Sequence, residues 1–72
     1  MPIINIQVTK EGVTQAQKQA LIKGATQLMV DVLYKDPQVT FVVIEEVETD
    51  NWGIGFDQVS MLRQQSLESN IK

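Results

Sequence analysis

Val39-Thr40-Phe41-Val42-Val43-Ile44-Glu45-Glu46-Val47 decides the fold. Its centre, Phe41 to Ile44, is an unbroken apolar run, the pattern of a strand covered on both faces. A second strand reads at the start of the chain, Pro2-Ile3-Ile4-Asn5-Ile6-Gln7-Val8. There Ile4, Ile6 and Val8 alternate with Asn5 and Gln7, the period of a half-buried strand. The segment between the two strands is longer than the dozen or so residues that a parallel crossover requires. The pair is therefore expected to run parallel, joined by a right-handed β-α-β unit.

The crossover itself reads as a helix. Lys10-Glu11-Gly12 is a turn signal, and Thr14 follows as an N-cap with Gln17 three residues later as its capping-box partner. From Gln15 to about Tyr34, Leu21, Ala25, Leu28, Met29 and Val32 fall at helical spacing on one face, with Lys18, Lys23, Gln27 and Asp31 mostly elsewhere. Asp36-Pro37 closes the helix, because a residue before proline avoids helical geometry. Beyond the second strand, Glu48-Thr49-Asp50-Asn51 is a polar turn. Trp52-Gly53-Ile54-Gly55-Phe56 then alternates large apolar residues with glycines, which suggests a short strand or hairpin. Val59 and Leu62 carry a last helical turn or tail, and the polar stretch Ser66 to Lys72 is expected to fray.

Two strands and one helix cannot close a core. At 72 residues the chain is a single domain, 1–72, and domains of this size bury only about 60% of their unfolded surface. Disulfides, a metal or oligomerisation usually supply the rest. There is no cysteine and no histidine, which removes disulfides and ordinary zinc ligation. Oligomerisation remains, with partner copies completing the sheet.

Composition narrows function as well. The net charge is −3, with six basic residues against nine acidic ones, so the basic stripe of a nucleic-acid binder is missing. No apolar run approaches the ~20 residues of a membrane span, and the N-terminus lacks the marks of a signal peptide. A cytoplasmic protein with no membrane partner is the plain reading. Without His or Cys, the familiar nucleophile–histidine arrangements cannot be built. An acid or base working near neutral pH must be a perturbed carboxylate, lysine or tyrosine, or the terminal amine.

Met1-Pro2-Ile3-Ile4, a long helix, a Val/Ile-rich strand ending in Glu45-Glu46, and Asn51-Trp52-Gly53-Ile54-Gly55 together resemble the 4-oxalocrotonate tautomerase family of the tautomerase superfamily. The resemblance runs from Pro2 to about Arg63. It implies an α+β fold: a β-α-β unit with two parallel strands, one long helix and a C-terminal hairpin, assembled as a homodimer or homohexamer. It also implies an enzyme, a cofactor-free keto–enol tautomerase (an isomerase) acting on a small unsaturated keto acid or related carbonyl compound. In that role removal of Met1 frees Pro2, whose secondary amine moves the proton as general base. No metal or cofactor is expected.

The same resemblance marks a departure. The best-known members hold the substrate's carboxylate and carbonyl groups with two arginines, and those places fall here on Val13 and Phe41. Nothing apolar imitates a bidentate, permanently charged donor. Lys10 or Arg63 could take over as the donor, Arg63 from a neighbouring copy. Trp52 stands where phenylalanine is common, and can both wall the pocket and donate a hydrogen bond. The expected site residues are thus Pro2 as catalytic base, with Trp52, Phe41, Val13 and Arg63 around the substrate. The competing reading is a non-catalytic assembly or ligand-binding protein on the same fold.

Overall fold

The protein is described from a computed structural model, over residues 1–70. Strand β1, Ile3–Thr9, leads into helix α1, Gln15–Leu33, which returns the chain to strand β2, Phe41–Val47. The two strands pair in parallel, with Ile3 opposite Phe41, Ile6 opposite Ile44 and Thr9 opposite Val47. Two further strands, β3 (Gly53–Ile54) and β4 (Asp57–Gln58), form an antiparallel hairpin. Helix α2, Val59–Asn70, follows directly.

The expected α+β architecture is therefore present, with its β-α-β unit, one long helix and C-terminal hairpin. Thr14 accepts a hydrogen bond from the Gln17 N–H at 3.1 Å, and the Gln17 side chain accepts one from the Thr14 N–H at 2.9 Å. The capping box is complete and satisfies two donors that a helix start leaves orphaned. At the other end Tyr34 adopts a left-handed conformation, φ 56°. The N–H groups of Tyr34 and Lys35 then donate to the carbonyls of Val30 and Met29, which ends the helix before Asp36-Pro37 is reached. The hairpin turns at Gly55, whose φ of 63° suits a residue without a Cβ.

Three features differ from the sequence reading. On α1 the residues shielded from solvent are Lys18, Ala25, Thr26, Met29 and Val30. Leu28 and Val32 stay more than half exposed and Leu21 is also exposed, so the apolar stripe is split between two sides of the helix. The continuous run in β2 is covered on one face only: Val42 and Ile44 are half-buried, whereas Phe41 and Val43 are exposed. Finally, the expected last turn is a helix of twelve residues. It continues through residues 66–70, part of the stretch expected to fray; residues 71 and 72 lie outside the described residues.

The α1-facing side of the sheet presents Ile4, Ile6, Val8, Val42 and Ile44, all half-buried. Lys18 on α1 meets Glu46 of β2 there, Nζ to Oε2 at 2.7 Å. Val59, at the start of α2, is the one fully buried apolar residue among those described, at 3% exposure. The opposite side of the sheet carries Ile3, Phe41 and Val43 beside Asn5, Gln7 and Glu45 and is exposed throughout. No helix among the described residues is long and apolar enough to cross a membrane.

Candidate active site

Parallel strands place both starts at one end of the sheet and both exits at the other. Pro2 precedes β1, and its carbonyl accepts a hydrogen bond from the Phe41 N–H at 3.0 Å. Pro2 is half-buried, and Phe41 beside it is 49% exposed. These two residues mark the entry end. With Met1 attached, the Pro2 nitrogen is a tertiary amide with no basic lone pair. Met1 itself is exposed.

The exit end gathers the remaining candidates. The Lys10 N–H donates to the Val47 carbonyl at 2.8 Å, closing the pair of strands there. Lys10 Nζ also meets Glu48 at 3.1 Å, an exposed pair of small energetic consequence. Val13, in the connection to α1, is half-buried. With Gln17, Ala20 and Leu21 it lines an open, mainly apolar groove of about 460 Å³.

Trp52 reaches this end from the β2 side. It closes a 3-10 turn, Thr49–Asn51, and is half-buried. Its carbonyl accepts the Val59 N–H at 2.7 Å, tying the hairpin's base to the start of α2. One helical turn after Val59, Arg63 spans back to the turn after β1. Its Nε meets Glu11 Oε1 at 2.8 Å and its Nη2 meets Oε2 at 3.3 Å. The Thr9 hydroxyl donates to the same carboxylate. Hydrogen bonds from Arg63 and Thr9 hold the Glu11 carboxyl below the usual glutamate range, and Glu11 in turn raises the already high pKa of Arg63.

The five expected residues thus divide into two groups. Pro2 and Phe41 adjoin at the entry end, whereas Val13, Trp52 and Arg63 collect at the exit end. A seven-residue strand separates the groups by about 20 Å, so one chain does not bring all five together. Lys10, the other cation considered, is engaged with Glu48. Sequence reasoning missed Glu11, which holds the guanidinium, and Gln17, Ala20 and Leu21 of the groove. Glu11 was visible only as part of a turn signal, because its partner is distant in sequence. The three groove residues follow Val13 at helical spacing, a signal that was there to be read.

Comparison with known proteins agrees with this architecture. The family described as tautomerase enzyme matches residues 2–60. A probable tautomerase, K2, from Dickeya dadantii is 59% identical over 66 residues, covering 92% of this chain and 98% of the relative. The crystal structure of DmpI from Helicobacter pylori shares 46% identity at a TM-score of 0.82, covering 88% of this chain and 97% of that one. A 4-oxalocrotonate tautomerase isozyme from Methylibium petroleiphilum shares 34% identity at a TM-score of 0.78, covering 85% and 97% of the two chains.

Proposed function

Because the chain belongs to the 4-oxalocrotonate tautomerase family, which supports tautomerase chemistry, we propose that it interconverts the enol and keto forms of a small unsaturated keto acid or related carbonyl compound, with Pro2 as the base. The reading requires loss of Met1. That cleavage turns the Pro2 amide into a secondary amine, and a terminal amine titrates near neutrality, at about 7.7–8.0 in model compounds. Apolar surroundings disfavour the ammonium and lower the value further, to where a general base is effective. The neutral amine takes the proton from the enol oxygen side of the substrate and returns one to carbon. No cofactor enters the reaction.

The observation that carries this reading is the placement of Pro2. It is half-buried at the entry end of the sheet and pinned through its carbonyl to Phe41, so the nitrogen has a fixed position. Phe41 supplies an apolar neighbour. Since Val13, Trp52 and Arg63 lie about 20 Å away along the strands, the working site combines the Pro2 end of one copy with the exit end of another. Association of the open sheet faces, where Ile3, Phe41 and Val43 stay exposed, would serve the same arrangement. Trp52 then walls and dries the pocket, and Val13 lines it.

The test is turnover of phenylenolpyruvate by untagged protein, with intact mass to establish whether Met1 is gone. Pro2→Ala, equally processed, is expected to lose about 10²-fold in kcat/KM, the lower end for removal of a positioned acid–base group. Undiminished turnover by Pro2→Ala, or by protein that retains Met1, would overturn the assignment of the base.

A further inference from the structure

Whether Pro2 carries an amine or an amide is decided at the Met1–Pro2 bond, and the fold holds the far side of that bond. Met1 is 86% exposed, whereas Pro2 is half-buried. Proline has no N–H, so its carbonyl is its one backbone hydrogen-bonding group. That carbonyl already accepts the Phe41 N–H at 3.0 Å. The next residues are in the sheet: Ile3 lies opposite Phe41 and Ile4 opposite Val42, with Ile4 and Val42 half-buried toward α1. Met1 alone stands clear of the paired backbone.

A peptidase takes its substrate as a free extended strand, exchanging hydrogen bonds with backbone groups on both sides of the bond it cuts. In the folded chain the groups beyond Met1 belong to β2. Hydrolysis then has to wait for local opening, and its rate follows the population of the opened state. Opening means more than a frayed terminal residue: freeing Pro2 and Ile3 breaks the bond to Phe41 and starts to lift Ile4 from the α1-facing side. The topology also fixes when the end is free. Among the described residues β1 pairs with β2 alone, and the two strands are parallel. A parallel partner comes only after a crossover, so β1 stays single until α1 and β2 have both been made.

We propose that Met1 is removed only before β1 pairs with β2, so that folding ends the processing of Pro2. The partner is an aminopeptidase that takes N-terminal methionine. Water adds at the Met1 carbonyl carbon, the bond to the Pro2 nitrogen breaks, methionine leaves as the free amino acid, and the nitrogen takes up a proton in exchange. A chain that folds with Met1 attached keeps an amide at Pro2 and stays without its base. The consequence for catalysis rests on the proline reading; the order of cleavage and folding does not.

The test uses the full chain with Met1 retained, expressed while the host aminopeptidase is inhibited. The folded protein and a free peptide of residues 1–8 are each treated with purified methionine aminopeptidase. Loss of methionine is followed by intact mass. A second full chain carries two glycines between Met1 and Pro2, which move the scissile bond about 7 Å out from the strand, and it is compared with its own peptide. Circular dichroism establishes that both chains are folded. The wild-type chain is expected to be cleaved at least about tenfold more slowly than its peptide, the signature of hydrolysis through an opened state. The glycine-extended chain should be cleaved at the rate of its peptide.

Cleavage of the folded wild type at its peptide's rate overturns the proposal. So does an equal slowing of the glycine-extended chain, which would place the obstruction outside strand pairing. Turnover of phenylenolpyruvate by protein processed during synthesis is measured separately. If the folded chain resists cleavage while the processed protein is inactive, the order of events stands and the proline reading falls. If the folded chain is readily cleaved and only the processed protein is active, the proline reading stands and this proposal falls.

Discussion

Val13 is the residue at which the chemistry of this chain departs most clearly from that implied by its family. It is half-buried and borders a groove open to solvent, so a longer side chain at this position can extend outward without displacing a packed neighbour. A guanidinium there would add a charged fork at the edge of the groove. Val13→Arg is accordingly expected to raise kcat/KM for a dicarboxylate enol about tenfold relative to phenylenolpyruvate, on the scale of one charge-assisted pair. The ratio of the two specificity constants is the measurement, because it cancels any general loss of activity. A ratio equal to that of the wild type would mean that the groove beside Val13 does not receive the substrate's acidic end.

At the scale of elements, α2 is held to the turn after β1 by an ion pair whose pH behaviour has a definite sign. Glu11 has a folded-state pKa below its ordinary value of 4.5, so it contributes stability above that ordinary value and loses it as pH falls through the lower folded value. Arg63 is raised above its already high ordinary value by Glu11, and its contribution persists at every working pH. The stability difference between wild type and Glu11→Gln, from urea unfolding at one fixed protein concentration, should therefore be flat from about pH 8 to about pH 5.5. It should vanish under more acid conditions. A difference that changed across the neutral range would point to another titrating group. Such an element was poorly legible in the sequence. The stretch after Val59 offers few apolar residues, and α2 is fixed instead by one buried side chain, one bond to Trp52 and a pair spanning 52 positions. Local signals did better where the structure itself is local. Thr14 and Gln17 cap α1 as their spacing indicates, and Gly55 turns the hairpin. The face of α1 was misread because Leu21, Leu28 and Val32 share a helical period that says they belong together, but not against what. The candidate site could be read only residue by residue for a similar reason. Family motifs named Pro2, Trp52 and Val13, whereas the length of the strands, which keeps them apart, is a property of the folded chain.

The whole molecule makes poor use of its apolar residues when taken as one chain. Its radius of gyration is 16.5 Å, against about 11 Å for a compact domain of this length. Only Val59 among the described apolar residues is fully buried, while Ile3, Phe41, Val43, Leu28, Val32 and Phe56 all stay largely exposed. Ile3, Phe41 and Val43 share the uncovered face of the sheet, with Ile3 paired to Phe41 across the strands. Each apolar side chain fully transferred from water contributes about 1.5–3 kcal/mol, so covering this face could supply much of the stability that the single chain lacks. The same association is what the divided site requires. Val43→Glu tests both at once, because Val43 lies on that face but is not among the residues assigned to substrate or base. A carboxylate introduced there would have to be buried on association, without a partner designed for it. The variant should shift the mass measured by light scattering toward a single chain, lower the urea midpoint, and lose tautomerase turnover in proportion to the assembled fraction. Raising the protein concentration should restore both the mass and the turnover together, since both depend on the same equilibrium. Full activity in a protein shown to be a single chain would mean that Pro2 does not need the exit end of a second copy.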